Sequence, residues 1–414
     1  MLNAFTGVFL AALGAALAVR LWLTARQVRH VRAHRAAVPA AFADTIPLAA
    51  HQTAADYTVA KSRLGVIDVL LDAAILLALT LGGLLQLVVE QWSRLLPVES
   101  LWHGVAVILT VLLGRGLLQL PLSAWRTFVI EQRFGFNRMT PALFVADLVK
   151  QTLVGAALGV PLLLAVLWLM REAGELWWLY AWLLLVAYSL FLQMIYPAAI
   201  LPLFNKFSPV DDPALAERVK KLLARCGFRS KGLFVMDGSK RSAHGNAFFT
   251  GFGAGKRIVL FDTLVARLGH DEIEAVLAHE LGHYRLHHVV KGMALSWAMS
   301  LALLALLGLL AREAWFYQGL GVQAQSQGIA VLLFLLVLPE FTFFLQPLMS
   351  LFSRKHEFEA DRYAMEHAAA NDLSSALVKL YKDNASTLTP DALHSAFYDS
   401  HPPAAIRIAR LRTA

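Results

Sequence analysis

The stretch AVLAHELGHYRLHH (275–288) carries four histidines and a glutamate, and four residues separate it from MALSWAMSLALLALLGLLA (293–311). The second stretch has nineteen residues and no charge. A membrane-spanning helix needs ~20 predominantly apolar residues. A cluster of metal-ligand side chains therefore stands at the edge of a bilayer, and the rest of the chain has to be read for further spans before the histidines can be placed.

Composition agrees with an integral membrane protein. Of 414 residues, 58% are hydrophobic and 16% charged, against about 45–50% and about 25% in a soluble chain. Seven stretches qualify as spans, at about 4–24, 64–89, 101–122, 152–170, 176–200, 293–311 and 328–350. Lys and Arg favour cytoplasmic loops. The first loop has Arg26, Arg29, Arg32, Arg35, Lys61 and Arg63, and the third has Arg126, Arg133, Arg138 and Lys150, whereas Arg94 and Arg171 stand alone in the second and fourth. The alternation predicts an external N-terminus, with both polar segments and the C-terminus in the cytoplasm. The net charge of +8 thus follows topology and does not call for nucleic acid. The first span carries its positive charge after the apolar run, unlike a cleavable signal peptide. One cysteine, Cys226, excludes an internal disulfide framework and a thiolate zinc cage.

The expected organisation is 1–203 with spans one to five, 204–292 as a cytoplasmic α+β segment, 293–350 with spans six and seven, and 351–414 as C-terminal cytoplasmic helices. Within the α+β segment, PALAERVKKLLARCGF (213–228) has helical periodicity and GLFVMD (232–237) reads as a strand. NAFFTGFGAGKRIVLFD (246–262) reads as two strands joined by a turn at Gly251, Gly253 and Gly255, which tolerate positive φ. HDEIEAVLAHELGHY (270–284) reads as a helix, with Asp271 and Glu274 at capping-box spacing. Charges that fall inside spans include Asp68, Asp72, Arg115 and Glu340. Such charges face a bundle interior or a water-filled cavity, which suggests a hydrated chamber; ion coupling in a transporter is the rival reading.

On the 270–284 helix, His279 and His283 are four apart and project from one face, so both can reach one zinc ion. Glu280 beside them can act as general base, as in H-E-x-x-H sites. Zinc lowers the pKa of a bound water to about 7, and Glu280 would take its proton and pass it to the leaving amine. A third protein ligand is needed. His287 lies two turns, ~11–12 Å, from His279, too far to converge, and His287 and His288 read as interfacial residues beside lipid headgroups. SRKHEFEADRYAMEHA (353–368) offers Glu357, Glu359 and Asp361. Glu357 and Asp361 share a face, so one can bind zinc while the other orients a ligating histidine.

AVLAHELGHY, SRKHEFEAD and SHPPAAIRI (400–408), in this order on a seven-span chain, resemble the type I CAAX prenyl proteases, an integral-membrane zinc metalloprotease family. FVIEQRFGFNRMTP (128–141), PLFNKFSP (202–209) and HGNAFFTGFGAGKRIVLFDTL (244–264) are similar to segments of that family too. The resemblance implies a mainly α polytopic fold, seven helices around a water-filled chamber, and one zinc ion per chain. It implies Glu357 as zinc ligand with His279 and His283, and Asp361 as the carboxylate behind them. It further implies that Asn246 starts an edge strand that binds an extended substrate, and that His401 and Arg407 hold the scissile carbonyl and its developing oxyanion. The implied substrate is a protein or peptide cleaved near its C-terminus, with an isoprenylated cysteine in the CAAX type. The Ala-, Leu- and Arg-rich composition points to a bacterial inner membrane, with the zinc site on the cytoplasmic side. Two other readings stay open: a quality-control membrane metalloprotease without lipid preference, and a non-enzymatic transporter or scaffold.

Overall fold

The computed structural model describes residues 3–228, 230, 232–250 and 257–413. The turn expected at Gly251, Gly253 and Gly255 lies outside the described residues. The chain runs through α1 (Ala4–Ala33), α2 (Leu48–Leu79), α3 (Leu84–Ser93), α4 (Leu101–Trp125), α5 (Pro141–Glu172), α6 (Trp177–Ile195), α7 (Leu201–Phe204), β1 (Phe207–Pro209), α8 (Pro213–Arg225), β2 (Leu233–Met236), β3 (Ala247–Thr250), β4 (Arg257–Phe261) and α9 (Asp262–Val265). It continues through α10 (His270–Arg285), α11 (His288–Leu310), α12 (Ala314–Gly319), α13 (Gln327–Thr342), α14 (Gln346–His367), α15 (Ala370–Asp383), α16 (Ala392–Tyr398) and α17 (Ala404–Thr413). Four helices, α1, α4, α5 and α13, start on polar caps: Asn3, Ser100, Thr140 and Ser326 each accept a hydrogen bond from a first-turn N–H, satisfying donors that helix termini leave orphaned.

Among the described residues six helical stretches are long and apolar enough to span a membrane, and a seventh is a broken pair. The single span expected at 64–89 is in fact α2 and α3, bent by 51°. Gly83 sits at the bend with φ 76, a left-handed conformation that glycine adopts without a Cβ penalty. The buried apolar residues of the spans gather at one end: Phe9 of α1, Val107 and Ile108 of α4, Leu167 of α5, Trp177 and Ala181 of α6, and Leu307 of α11 form one cluster with α12 and α13. Toward the opposite end the same helices expose large apolar side chains, including Leu117, Leu118, Leu153 and Met194.

Asp68, Asp72, Arg115 and Glu340 are all paired. Glu340 lies 3.0 Å from Arg20 and Asp72 3.1 Å from Arg115, with Gln119 donating to Asp72 at 2.6 Å. Asp68 lies 3.7 Å from Arg126. Pairing lowers the cost of a charge at membrane depth and gives these residues a structural account.

The strands form one sheet in the order β1-β2-β4-β3, with β2 and β4 parallel and both outer pairs antiparallel. Leu215, Val219 and Leu222 of α8, Ile258 and Leu260 of β4, Leu277 and Leu281 of α10, Leu373 and Leu377 of α15 and Leu411 of α17 share one core. The two polar segments, separated in sequence by α11 to α13, thus bury a common apolar face and hold α10 against α14.

Candidate active site

α10 is fixed from below and from its N-terminus. Ile273, Leu277 and Leu281 recur every four residues and are buried, giving the helix a core-facing stripe. Gly269 donates its N–H to Glu272 at 2.8 Å, which closes the capping box. The box expected from Asp271 and Glu274 does not form, because the helix starts at His270 and places Glu272 in the third position. Asp271 and Glu274 instead pair with Arg218 and Arg225 of α8. Glu272 also accepts from Ser375 (2.6 Å) and Lys379 (2.7 Å) of α15. Burial works to raise its carboxyl pKa, but Lys379, Ser375 and the Gly269 amide outweigh that and hold it below its ordinary 4.5. A depressed carboxyl contributes stability that is complete above the unfolded pKa and is lost as pH falls through the folded one. The protein is therefore expected to lose stability on acidification below about pH 4.5, and Glu272→Gln to flatten that slope. Melting temperatures across pH 3–6 test this; identical slopes in both proteins would refute it.

Gly282 lies inside α10, where glycine costs about 0.5–1 kcal/mol relative to alanine. A Cβ on it would meet the Ala360 Cα and the Tyr363 Cβ at 3.0 Å each. The glycine thus permits the close approach of α10 to α14. Gly282→Val is expected to cost about 1–3 kcal/mol through overpacking and to weaken metal binding by moving Glu357 away from the histidines. Metal titration against wild type decides, and unchanged affinity would exclude this role.

That contact brings the ligand candidates together. His279 Nε2 and His283 Nε2 lie 3.2 Å apart, Glu357 Oε1 lies 3.2 Å from His283 Nε2, and Glu357 Oε2 lies 3.6 Å from His279 Nε2. Ligands at zinc bond lengths of ~2.0–2.1 Å in a tetrahedral arrangement are about 3.3 Å apart, so the three atoms make one face of such a site. Glu357 Oε2 is buried and, among the described residues, accepts no hydrogen bond, although the Arg407 guanidinium stands 3.3 Å away. Buried polar atoms without a partner are rare, and a cation in this position would satisfy it. Burial works against a charge on His279, yet Asp361 and Glu357 push its imidazole up to about 9. The donor set fits a divalent metal.

Behind the triangle, Asp361 Oδ1 lies 2.9 Å from His279 Nδ1. This places the ring's second nitrogen on a carboxylate and aims Nε2 forward. Arg407 grips Asp361 through Nε (2.9 Å) and Nη2 (2.5 Å), and its Nη1 lies 3.3 Å from Glu357 Oε2. His401 Nε2 lies 3.3 Å from Glu357 Oε1 with its side chain open to solvent. A cavity of about 500 Å³ runs past Asn246, Ala247, His279, Glu280, His401 and Arg407, with Leu264, Val276, Leu373 and Leu377 as its apolar wall. Glu280 makes no hydrogen bond or ion pair with the described residues and faces this cavity. Asn246 accepts from Phe261 through its carbonyl at 3.0 Å and leads into β3, which among the described residues pairs only with β4. Its outer edge is open beside the cavity. All eight residues singled out in the sequence line one site.

Other contacts come from residues the sequence did not single out. Asn384 accepts from the Gly245 N–H and from His244 Nδ1, each at 3.2 Å, and so fixes the loop before Asn246. His288 is buried, not at the headgroups as expected, and lies 3.1 Å from His283 Nδ1. The sequence offered one hint, the closely spaced His356 and Glu359 to which His288 packs.

Spans, edge strand and metal-ligand triangle together define a multi-pass membrane metallopeptidase. Residues 27–206 match the CAAX prenyl protease N-terminal region with five membrane helices, and residues 209–414 match peptidase family M48. The chain belongs to this family of CAAX prenyl protease-like M48 peptidases. It is 37% identical to CAAX prenyl protease 1 homolog of Arabidopsis thaliana over 75% of this chain and 74% of that protein. It is 36% identical to CAAX prenyl protease 1 of Saccharomyces cerevisiae over 77% of this chain and 75% of that protein. The crystal structure of S. mikatae Ste24p superposes with a TM-score of 0.93 at 30% identity, covering 99% of this chain and all of that one.

Proposed function

We propose that the chain is a zinc endopeptidase that cleaves CAAX-type protein or peptide substrates near their C-terminus at the membrane surface. The observation that carries this is the His279, His283 and Glu357 triangle, with an unsatisfied Glu357 oxygen, opening on a cavity flanked by the free edge of β3. A zinc ion held there would polarise the scissile carbonyl and make water available as hydroxide near neutral pH. An extended substrate adds to β3 at Asn246 through main-chain hydrogen bonds. Glu280 takes the proton of the attacking water and delivers it to the leaving amine. His401 and Arg407 stabilise the charge that develops on the carbonyl oxygen, and Asp361 keeps His279 in register.

The apolar wall of the cavity, Leu264, Val276, Leu373 and Leu377, supports a prenyl chain as part of the substrate. The loop distribution of Lys and Arg supports an external N-terminus and a cytoplasmic site, in a bacterial inner membrane on composition. Purified protein is expected to cleave a farnesylated CAAX peptide faster than its unprenylated twin, with Glu280→Gln as the inactive control. Equal cleavage of both peptides would remove the lipid preference and favour quality control of membrane proteins.

A further inference from the structure

Metal-ligand side chains continue beyond the catalytic triangle. His287 has φ 58, in the left-handed region, and ends α10 with a sharp turn that carries His288 back onto α14. There His288 meets His356 and Glu359, which lie three apart on one face of that helix. Both imidazoles are more than nine-tenths buried. One ligand atom from each of the three residues lies within 4.8 Å of the other two. His288 Nε2 is 2.9 Å from Glu359 Oε2, while Lys355 reaches the other Glu359 oxygen from the exposed side at 3.9 Å. The donor set is the same as in the first site, two histidines and a glutamate.

We propose that His288, His356 and Glu359 form a second zinc-binding site whose filling inhibits the enzyme. The inhibitory part rests on the reading of the first site as a zinc peptidase centre. The rings of His288 and His356 are parallel, 4.0 Å apart between centroids. Joint ligation requires this stack to open, which the soft Cβ–Cγ torsion of His356 allows.

The coupling follows from where the hydrogens must be. With a metal on His283 Nε2, the neutral ring carries its hydrogen on Nδ1 and donates it to His288 Nδ1, 3.1 Å away. His288 then carries its own hydrogen on Nε2 and donates it to Glu359. A metal on His288 Nε2 moves that hydrogen to Nδ1, so two N–H groups face each other across the same gap. The second ion therefore removes the hydrogen bond that orients His283. Losing such a partner typically weakens a metal site about 10–100-fold. Binding free energies are reciprocal, so a filled first site weakens the second, which fills only in excess zinc.

The test uses the full-length protein in detergent, dialysed against rising zinc, with bound metal measured by mass spectrometry and peptide cleavage measured in parallel. Wild type is expected to take up one equivalent with full activity, then a second with loss of activity. His356→Phe keeps the stacked ring, and Glu359→Gln keeps an acceptor for His288. Both are expected to stop at one equivalent and to stay active in excess zinc. A wild type that stops at one equivalent overturns the proposal. So do variants that still take two, or that are inhibited as wild type is. Absence of cleavage at one equivalent would instead count against the peptidase reading, and the metal count would still decide the second site.

Discussion

Glutamine in place of Glu280 is expected to lower kcat for peptide cleavage by about 10²–10⁴-fold, the range general base catalysis supplies, while metal content and melting temperature stay as in wild type. Glu280 stands between the two ligand histidines on α10 and faces the cavity, and it makes no hydrogen bond or ion pair with the described residues. Its carboxylate therefore contributes nothing to holding α10, and its replacement by the amide leaves shape and packing in place. What is lost is a group that can take a proton from water and return it to the amine. KM is expected to change little, because the β3 edge and the cavity walls are untouched, so the loss appears in kcat and in kcat/KM alike. Activity within a few-fold of wild type, with metal bound, would remove Glu280 from the chemistry.

The metal helix is readable in the sequence because spacing within one helix is geometry. A spacing of four from His279 to His283, and of four from Glu357 to Asp361, fixes two faces before any tertiary contact is known. Spans are readable for a similar reason, since apolar length decides them locally. The break between α2 and α3 is not, because hydropathy is blind to the φ of Gly83. The capping box shows the limit of spacing: Asp271 and Glu274 fit the pattern, but the pairing with Arg218 and Arg225 depends on how α8 docks. His288 shows it again. Beside an apolar run it reads as interfacial, yet the left-handed turn at His287 directs it inward onto α14. The grip of Arg407 on Asp361 joins residues 46 apart, and no local pattern encodes it.

Arg407→Ala is expected to destabilise the metal-free protein by about 3–5 kcal/mol, the usual cost of removing one partner of a buried charge pair. Glu357, Asp361 and Arg407 are all at most 5% exposed. The guanidinium is the cation that forks onto Asp361 and reaches Glu357 Oε2 at 3.3 Å. Burial alone disfavours its charge, but Asp361 and Glu357 outweigh this and raise its pKa further. Without it two buried carboxylates share a pocket whose remaining cation sources are the imidazoles of His279, His283 and His401. A divalent metal neutralises the same carboxylates, so the defect should be largest after chelation and shrink on metal addition. Wild type, by contrast, should gain less from metal. Arg407→Lys restores one charge but not the planar fork, so it should recover part of the stability and leave Asp361 free to release His279. Its metal affinity then stays low even where its melting temperature is rescued. Thermal unfolding of the three proteins, chelated and metal-loaded, separates these effects. If chelated Arg407→Ala melts with chelated wild type, Arg407 does not balance the charge of this site, and its place beside the metal must be explained by substrate contact alone.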